Sequence, residues 1–302
     1  MTTQINSTIF QFGRVDAQFF ERDCQAGDWR IWDIAFPTAF PHDGVRVIVT
    51  PNDLRVDTGV HSVAAVGLAQ DVTRTGFRLA ARNSDCSSGS AGFDWMAVLE
   101  TPGQQIQRPV SLRVGVVQQK WFNADCVPGD WQHWDVIYRT PFPKTPVVLL
   151  TASNLNIQGN NAAVVGTSRD STGASFTLAA RNSDCQPGDC AFYHLALSPP
   201  EGEGRTDLFV DTGEVPARTL HRDCHPGDWD SGDIYFSRSF LTSPFVFLTA
   251  NNKGVVSKNA AVVGIARNVT THGFTLAARN SDCSIGEAGF YWVAIGCALG
   301  CG

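Results

Sequence analysis

The chain has 302 residues and a formal net charge of −6, with 43% hydrophobic and 17% charged residues. This composition is typical of a folded globular protein, and the length is enough for two or three domains. The negative charge and the lack of basic runs interleaved with aromatic residues argue against nucleic acid as a partner. The apolar runs have the length of strands and are too short to span a bilayer, so no membrane insertion is expected.

An internal repeat dominates the sequence. The octapeptide LAARNSDC occurs three times without change, at residues 79–86, 178–185 and 276–283, and other segments recur in the same order. A period of roughly 100 residues suits a complete domain with its own core better than a solenoid unit. Polar segments that contain Pro and Gly separate the copies, which predicts domains at residues 1–100, 101–200 and 201–302.

Within each copy, the apolar residues recur with a period of two. In the first copy, Val45, Val47 and Val49 form one such series, and Phe77 and Leu79 belong to another. Turn residues interrupt these series every 8–12 residues or so, and no segment has a helical period with caps. The pattern predicts an all-β fold of three tandem antiparallel β-sandwich modules with about six strands each.

A Gly-Asp-Trp segment precedes the first core strand of every copy, in GDWRIWD, GDWQHWD and GDWDSGD. A carboxylate at such a loop is a good acceptor for paired sugar hydroxyls, because charge-assisted hydrogen bonds are strong. The aspartate can equally cap a turn in which the glycine adopts a positive φ. The candidate sugar ligands are Asp28, Asp130 and Asp228.

The tryptophans of the same segment also have two interpretations. Each ring can stack on the apolar face of a sugar, or it can pack where the strand begins. The residues concerned are Trp29, Trp32, Trp131, Trp134 and Trp229, and Gly232 replaces the second tryptophan in the third copy.

The ARNSDC segment is the second candidate site. In the first copy, Arg82, Asn83 and Asp85 place donors and acceptors where a loop can hold two sugar hydroxyls. An internal Arg–Asp pair that fixes the loop is the alternative. The equivalent residues are Arg181, Asn182 and Asp184 in the second copy and Arg279, Asn280 and Asp282 in the third.

Six of the nine cysteines repeat with the module. Their recurrence predicts the disulfides Cys24–Cys86, Cys126–Cys185 and Cys224–Cys283, with free buried thiols as the alternative. No two repeated cysteines lie close in sequence with further ligands nearby, so neither a metal nor another cofactor is expected. Cys190, Cys297 and Cys301 have no counterparts, and the odd total leaves at least one thiol free or intermolecular.

Disulfides predict a secreted, extracellular protein, because they persist in oxidising compartments. The first residues, MTTQINSTIFQFG, contain no basic segment followed by an apolar stretch and therefore do not predict a signal peptide. A cytoplasmic protein with unconventional release is the alternative.

The order of these features resembles the H-type lectins, the modules of snail agglutinins and of the C-terminal part of discoidins. The resemblance rests on the Gly-Asp loop, the strand at 44–50, a Val-Thr-x-Thr-Gly-Phe segment at 72–77 and the segment 94–97 with Trp95. The third copy keeps these segments at 269–274 and 291–294. The second copy departs most, since Ser175-Phe176 replaces Gly-Phe and His194 replaces the tryptophan.

The resemblance implies six-stranded antiparallel sandwiches that form a threefold trimer and bind galactose or N-acetylgalactosamine between subunits without a metal. Three modules in one chain then imply a monomer with internal pseudo-threefold symmetry and up to three sites for glycans on glycoproteins or cell surfaces. The family's Gly-x-Asp loop corresponds to the Gly-Asp segment, with a spacing that differs by one. The family's arginine on the middle strand is replaced by Ala64, Ala163 and Ala261.

Two other functions compete with this interpretation. A glycoside hydrolase needs two carboxylates across a cleft, which Asp28 and Asp85 can supply. The sequence contains no Gly-x-Ser-x-Gly, P-loop or His-Glu-x-x-His motif and no repeated histidine, so no enzyme is predicted. The other alternative is a structural or adhesive protein without a sugar site.

Overall fold

The structure, a computed structural model, describes residues 2–5, 8–21, 29–52, 65–83, 88–100, 111–123, 131–153, 164–182, 187–198, 208–220, 230–252, 255–256, 262–280 and 285–297. The regular secondary structure in these ranges consists entirely of β-strands. Within the same ranges, the chain has no helix that is long and apolar enough to cross a membrane.

The described ranges contain nineteen strands, which follow one another in three similar sets. The first module contains β1 (Thr2–Ile5), β2 (Thr8–Phe20), β3 (Arg30–Ala35), β4 (Arg46–Asn52), β5 (Ala65–Gln70), β6 (Gly76–Asn83) and β7 (Gly89–Glu100). The second contains β8 (Ser111–Phe122), β9 (Gln132–Ile137), β10 (Val147–Ser153), β11 (Val164–Arg169), β12 (Ser175–Asn182) and β13 (Gly188–Ser198). The third contains β14 (Leu208–Leu220), β15 (Asp230–Tyr235), β16 (Phe245–Asn251), β17 (Val262–Arg267), β18 (Gly273–Asn280) and β19 (Gly286–Cys297).

Each module is a sandwich of two three-stranded antiparallel layers. In the first module, β2, β7 and β4 form one layer and β3, β6 and β5 form the other. The period-two pattern explains the packing, since Phe77 of β6 meets Phe36 and Trp95 between the layers, at ring distances of 5.8 and 5.7 Å. The predicted all-β fold of about six strands per module is therefore confirmed, and β1 is an additional strand that pairs with β2.

The sheets run through two modules each, which the sequence does not predict. Strand β10 pairs in parallel with β5, with Ala152 opposite Leu68. Strand β11 pairs in the same way with β16, and β17 with β4. One layer of every module therefore continues into a layer of the next, and the three joints close a ring. Three such joints are the arrangement expected for the predicted pseudo-threefold packing of the modules.

A shared core lies on the pseudo-threefold axis. Equivalent residues of the three modules meet there with at most 1% of their surface exposed, namely Ile48, Leu149 and Phe247 together with Met96, Leu195 and Val293. Burying six such side chains removes a large apolar area from water, at roughly 25 cal/mol per Å². The modules consequently form one body, and the surfaces that they expose are held in fixed relative positions.

Each module also contains a close approach between a glycine of its first long strand and a large ring. The indole of Trp95 lies over Gly13, where a Cβ atom would overlap it. Trp292 lies over Gly213 in the same manner. In the second module the ring over Gly115 is the imidazole of His194, which is buried and meets Phe176 edge-on at 5.4 Å.

Candidate functional site

The carboxylates predicted from the Gly-Asp and ARNSDC segments lie outside the described residues. These are Asp28, Asp130, Asp228, Asp85, Asp184 and Asp282. The same holds for the six cysteines of the predicted disulfides, Cys24, Cys86, Cys126, Cys185, Cys224 and Cys283. The structure does describe the strands from which both segments emerge, and these strands fix where the segments begin and end.

Both segments leave the sandwich at the same end of each module. Strand β3 begins with Arg30 opposite Ala81, so the residues that follow the Gly-Asp loop pair with the last residues of β6. The side chain of Asn83 donates a hydrogen bond from Nδ2 to the carbonyl oxygen of Glu21, at 2.8 Å. This bond joins the last residue of β6 to the first residue after β2. The flanks of the two predicted loops are therefore in direct contact.

The second module repeats this link. Asn182 Nδ2 donates to the carbonyl oxygen of Asn123 at 2.7 Å, between the end of β12 and the residue after β8. Its strand β9 begins with Gln132 opposite Ala180, and β15 of the third module begins with Asp230 opposite Ala278. The three modules therefore bring the same pair of segments together.

The arginine and asparagine of each motif are in strands, where the sequence analysis expected a loop. Their exposed fractions are between 2% and 5%, for Arg82, Asn83, Arg181, Asn182, Arg279 and Asn280. Strand β6 continues to Asn83, and Arg82 lies opposite Val66, so that both side chains point to the same face of the sheet. In this conformation these two side chains of each motif are inside the protein.

The arginines lie beside the pseudo-threefold axis. Val66, Val165 and Val263 are their strand partners and pack together as one small cluster, with Trp29 and Trp131 against it. A cavity of about 80 Å³ opens next to this cluster and is lined by equivalent strands of all three modules. The end of each module that carries the predicted loops is thus also the place where neighbouring modules meet.

The outward face of the β3 layer carries a second repeated aspartate, which the sequence analysis did not select. Asp135 accepts a hydrogen bond from the hydroxyl of Thr177 at 2.8 Å, and Asp233 accepts one from Thr275 at 2.8 Å. In the first module Asp33 lies opposite Arg78, whose guanidinium pairs with Asp71. Alternating exposure along these strands and the invariant aspartate in GDWRIWD, GDWQHWD and GDWDSGD are the signal that identifies this position.

The second tryptophan of the segment packs inside its module in the first two copies, as the structural interpretation predicts. Trp32 packs inside the first module against Phe20 and Phe93, at ring distances of 6.3 and 6.0 Å. Trp134 does the same in the second module. In the third module the guanidinium of Arg218 lies beside Gly232 and reaches Asp230 at 3.3 Å. These positions are structural.

Trp131 lies on the outward face of the second module, and a cationic side chain packs on its ring. The guanidinium of Arg169 lies over its ring, 4.3 Å from the centroid. Arg169 Nη1 also lies 2.9 Å from Nε2 of His133. One face of the indole is consequently covered by an arginine. The charged guanidinium lies beside Trp131, which directly follows the Gly-Asp segment in the sequence.

Two titratable side chains, those of His194 and Cys190, are buried, and burial shifts the pKa of each. Burial, with a smaller contribution from Arg46, lowers the pKa of His194 to about 4. Burial raises the pKa of the Cys190 thiol, which is free. Among the described residues, no three His, Cys, Asp or Glu side chains are placed to hold a metal ion.

Residues 231–295, from β15 to β19, match the family model of the H-type lectin domain. The match covers most of the third module, and the other two modules have the same strands in the same order. No curated protein and no solved structure shows significant similarity to the chain. The third module is thus similar to an H-type lectin domain over residues 231–295, and the structure shows three similar sets of strands.

Proposed function

We propose that the protein is a multivalent lectin with up to three sites for galactose- or N-acetylgalactosamine-type glycans, one near each module boundary. The observation that supports it best is the H-type lectin domain at residues 231–295, because domains of this family bind carbohydrate. The repeated contact between the flanks of the Gly-Asp and ARNSDC segments supports the same location in the other modules.

The ligand groups that we propose are the loop carboxylates Asp28, Asp130 and Asp228, aided by Asp85, Asp184 and Asp282. A loop carboxylate at the end of a rigid sandwich can accept two hydroxyl hydrogen bonds without moving the scaffold. The buried arginine and asparagine of each motif then support the loops from inside. Asn83, for example, holds the backbone at Glu21, just before the Gly-Asp segment.

Multivalency follows from the geometry if all three sites bind. A single site gains little, because each sugar hydroxyl exchanges a water hydrogen bond for a protein one at a net value of about 1 kcal/mol. Three sites on one rigid body raise the avidity for a clustered glycan by a factor of about 100 or more through effective concentration. The partners in this proposal are glycans of glycoproteins or cell surfaces, bound by a secreted monomer without turnover.

The decisive experiment measures binding to a galactose-bearing surface for the full chain and for Asp→Ala variants. We expect Asp28→Ala to weaken binding and the triple change at Asp28, Asp130 and Asp228 to abolish it, with free galactose or N-acetylgalactosamine competing at high concentration. Asp43→Ala, at an exposed position in the turn before β4, is the matched control. Thermal melting of every variant shows whether the fold is retained.

Two results would contradict the proposal. Full binding by a well-folded triple variant would show that the loop aspartates are not ligands. A protein that binds no glycan on a broad array would favour a structural role, and hydrolysis of a chromogenic galactoside would show an enzyme.

A further inference from the structure

Arg169, at the end of β11, is held on the outward face of the second module by two contacts. Its guanidinium lies over the Trp131 ring, 4.3 Å from the centroid, which is the geometry of a cation–π interaction. Its Nη1 is 2.9 Å from Nε2 of His133. Arginine has no acceptor, so Nη1 donates and the imidazole nitrogen accepts. Arg169 is thereby held in place on the Trp131 side.

The other edge of this guanidinium has no acceptor among the residues that the structure describes. Neither Nε nor Nη2 of Arg169 has a hydrogen-bond partner within the described parts of the chain, and both nitrogens are shielded from water. These two groups form the edge whose N–H bonds are parallel, the arrangement that binds both oxygens of a carboxylate or a sulfate. Burial lowers the pKa of Arg169, which is consistent with a cation that lacks part of its solvation. A ligand from solvent reaches these nitrogens only if the guanidinium rotates outward, and the cost of leaving buried donors unmatched favours that rotation.

The carboxylates near Arg169 are already engaged. Asp170 accepts a hydrogen bond from Nδ2 of Asn252 at 3.1 Å, and its own N–H donates to Oδ1 of Asn252 at 3.2 Å, so that it faces the third module. Asp135 accepts the hydroxyl of Thr177 at 2.8 Å. Neither aspartate is hydrogen-bonded to the guanidinium, and Asp170 acts on Arg169 only through its charge, which offsets part of the effect of burial.

The other modules lack this combination. At the position of Arg169 the first module has Gln70, and the third has Arg267. At the position of His133 they have Ile31 and Ser231. A tryptophan occupies the position of Trp131 in all three, so the cation and the imidazole together distinguish the second module.

We infer that the outward face of the second module, formed by Trp131, His133 and Arg169, is a subsite for the anionic group of an acidic sugar. The shared chemistry is a planar or tetrahedral oxyanion on a hexose, either a carboxylate or a sulfate ester. The inference rests on the proposed lectin function, because the neutral part of the sugar is to be bound as that proposal describes. It makes the three sites unequal, with two neutral sites and one that prefers acidic glycans.

The test compares the affinities of the full chain for galactose, galactose sulfate and galacturonate on the same scaffold. We expect the acidic ligands to bind about tenfold more tightly than galactose at low salt, a gain typical of charge-assisted pairs, and the preference to shrink at high salt. The acidic sugar that binds more tightly shows whether the subsite prefers a sulfate or a carboxylate. Arg169→Gln introduces the residue of the first module and should remove the preference while neutral galactose still binds. Arg267→Gln, at the equivalent position of the third module, should leave it unchanged.

Further variants keep the test decisive. Arg169→Lys keeps a cation but loses the two-donor edge, and it should lose most of the preference. Asp135→Asn removes a nearby negative charge and should increase the preference. Equal affinities of wild-type protein for neutral and acidic ligands, or a preference that survives Arg169→Gln, would overturn the subsite and leave the lectin proposal intact. Failure to bind any of the three sugars would overturn both.

Discussion

The hydroxyl of Thr151 is bonded across a module boundary to both polar backbone groups of Val49. Oγ1 accepts the N–H of Val49 at 2.8 Å and donates to its carbonyl oxygen at 3.3 Å. The equivalent threonines accept a backbone N–H at the other two module boundaries. Leu150 N–H donates to Thr249 Oγ1 at 3.0 Å, and Leu248 N–H donates to Thr50 Oγ1 at 3.3 Å. Three equivalent threonines, all buried, thus connect each module to the next.

Replacing one threonine of this ring should destabilise the whole protein. Thr151→Val keeps the shape but leaves the buried N–H of Val49 without its acceptor, which costs about 1–3 kcal/mol. Urea denaturation should show this loss, while Thr219→Val, at an exposed position of β14, should change stability by less than about 0.5 kcal/mol. Equal stability of the two variants would show that the ring contributes nothing.

A partly buried ion pair distinguishes the first module from the others. Arg14 donates to Asp94 from Nε at 2.6 Å and from Nη2 at 3.3 Å, and Asn52 Nδ2 donates to the same carboxylate at 3.0 Å. The Arg14 guanidinium also lies over the ring of Phe245 in the third module, at 5.2 Å. The pair therefore lies at one specific boundary of the ring.

Breaking this pair from one side should cost more than replacing it as a whole. Asp94→Leu removes the carboxylate to which Arg14 and Asn52 donate and should lower the free energy of unfolding by about 2–3 kcal/mol, less than for a fully buried pair because Arg14 is 31% exposed. The double variant Arg14→Val with Asp94→Tyr introduces the residues of the second module, Val116 and Tyr193, and should recover most of the loss. A double variant that is less stable than Asp94→Leu would refute this account.

The strand pattern of each module could be predicted from the sequence because every strand has one face toward a local core. The joints between modules could not, since the pairing of Leu68 with Ala152 joins residues from different repeats. The sequence contains one indication of these joints. Strand β10 is buried along its whole length, and its sequence VVLLTAS has no polar face. A strand of this kind belongs inside a sheet with both faces covered.

The candidate site could be predicted only in part, because its residues also depend on contacts between different repeats. The ARNSDC segment contains turn-forming residues, which favour a loop, yet β6 continues through Arg82 and Asn83. Arg82 is buried because its strand partner Val66 meets valines of the other two modules, at Val165 and Val263. Contacts between residues so distant in sequence leave no trace in the local pattern. The stacking of Arg169 on Trp131 was not predicted because Arg169, unlike Trp131, belongs to none of the motifs that the sequence singles out.

His194 should make stability depend on pH. Its pKa in the folded protein, about 4, lies below the usual value of about 6.5, so the unfolded chain binds the proton more readily. Its contribution to stability is complete above about pH 6.5 and is lost as the pH falls toward 4. Between pH 7 and pH 5 the loss should be about 2 kcal/mol.

The measurement is urea denaturation at both pH values for wild-type protein and His194→Phe. The variant lacks the titrating group and should lose about 2 kcal/mol less than wild type on acidification. His42→Phe changes an exposed histidine in the turn before β4 and should behave as wild type does. Parallel losses in all three proteins would show that the buried imidazole does not control the response.

The last prediction concerns the thiols. Cys190 is fully buried, its Sγ donates to the carbonyl oxygen of Ala191 at 3.1 Å, and burial raises the pKa of the thiol. Because the thiolate is the reactive form, Cys190 should resist iodoacetamide at pH 8 in the folded protein and react rapidly in guanidinium chloride. Cys190→Ala, which introduces the residue found at positions 91 and 288, identifies the labelled peptide. If the predicted pairs Cys24–Cys86, Cys126–Cys185 and Cys224–Cys283 form, those six cysteines stay unlabelled in guanidinium chloride until a reductant is added. Their labelling without reductant would refute the disulfides and the secreted location together, whereas labelling of Cys190 in the folded protein would refute its burial.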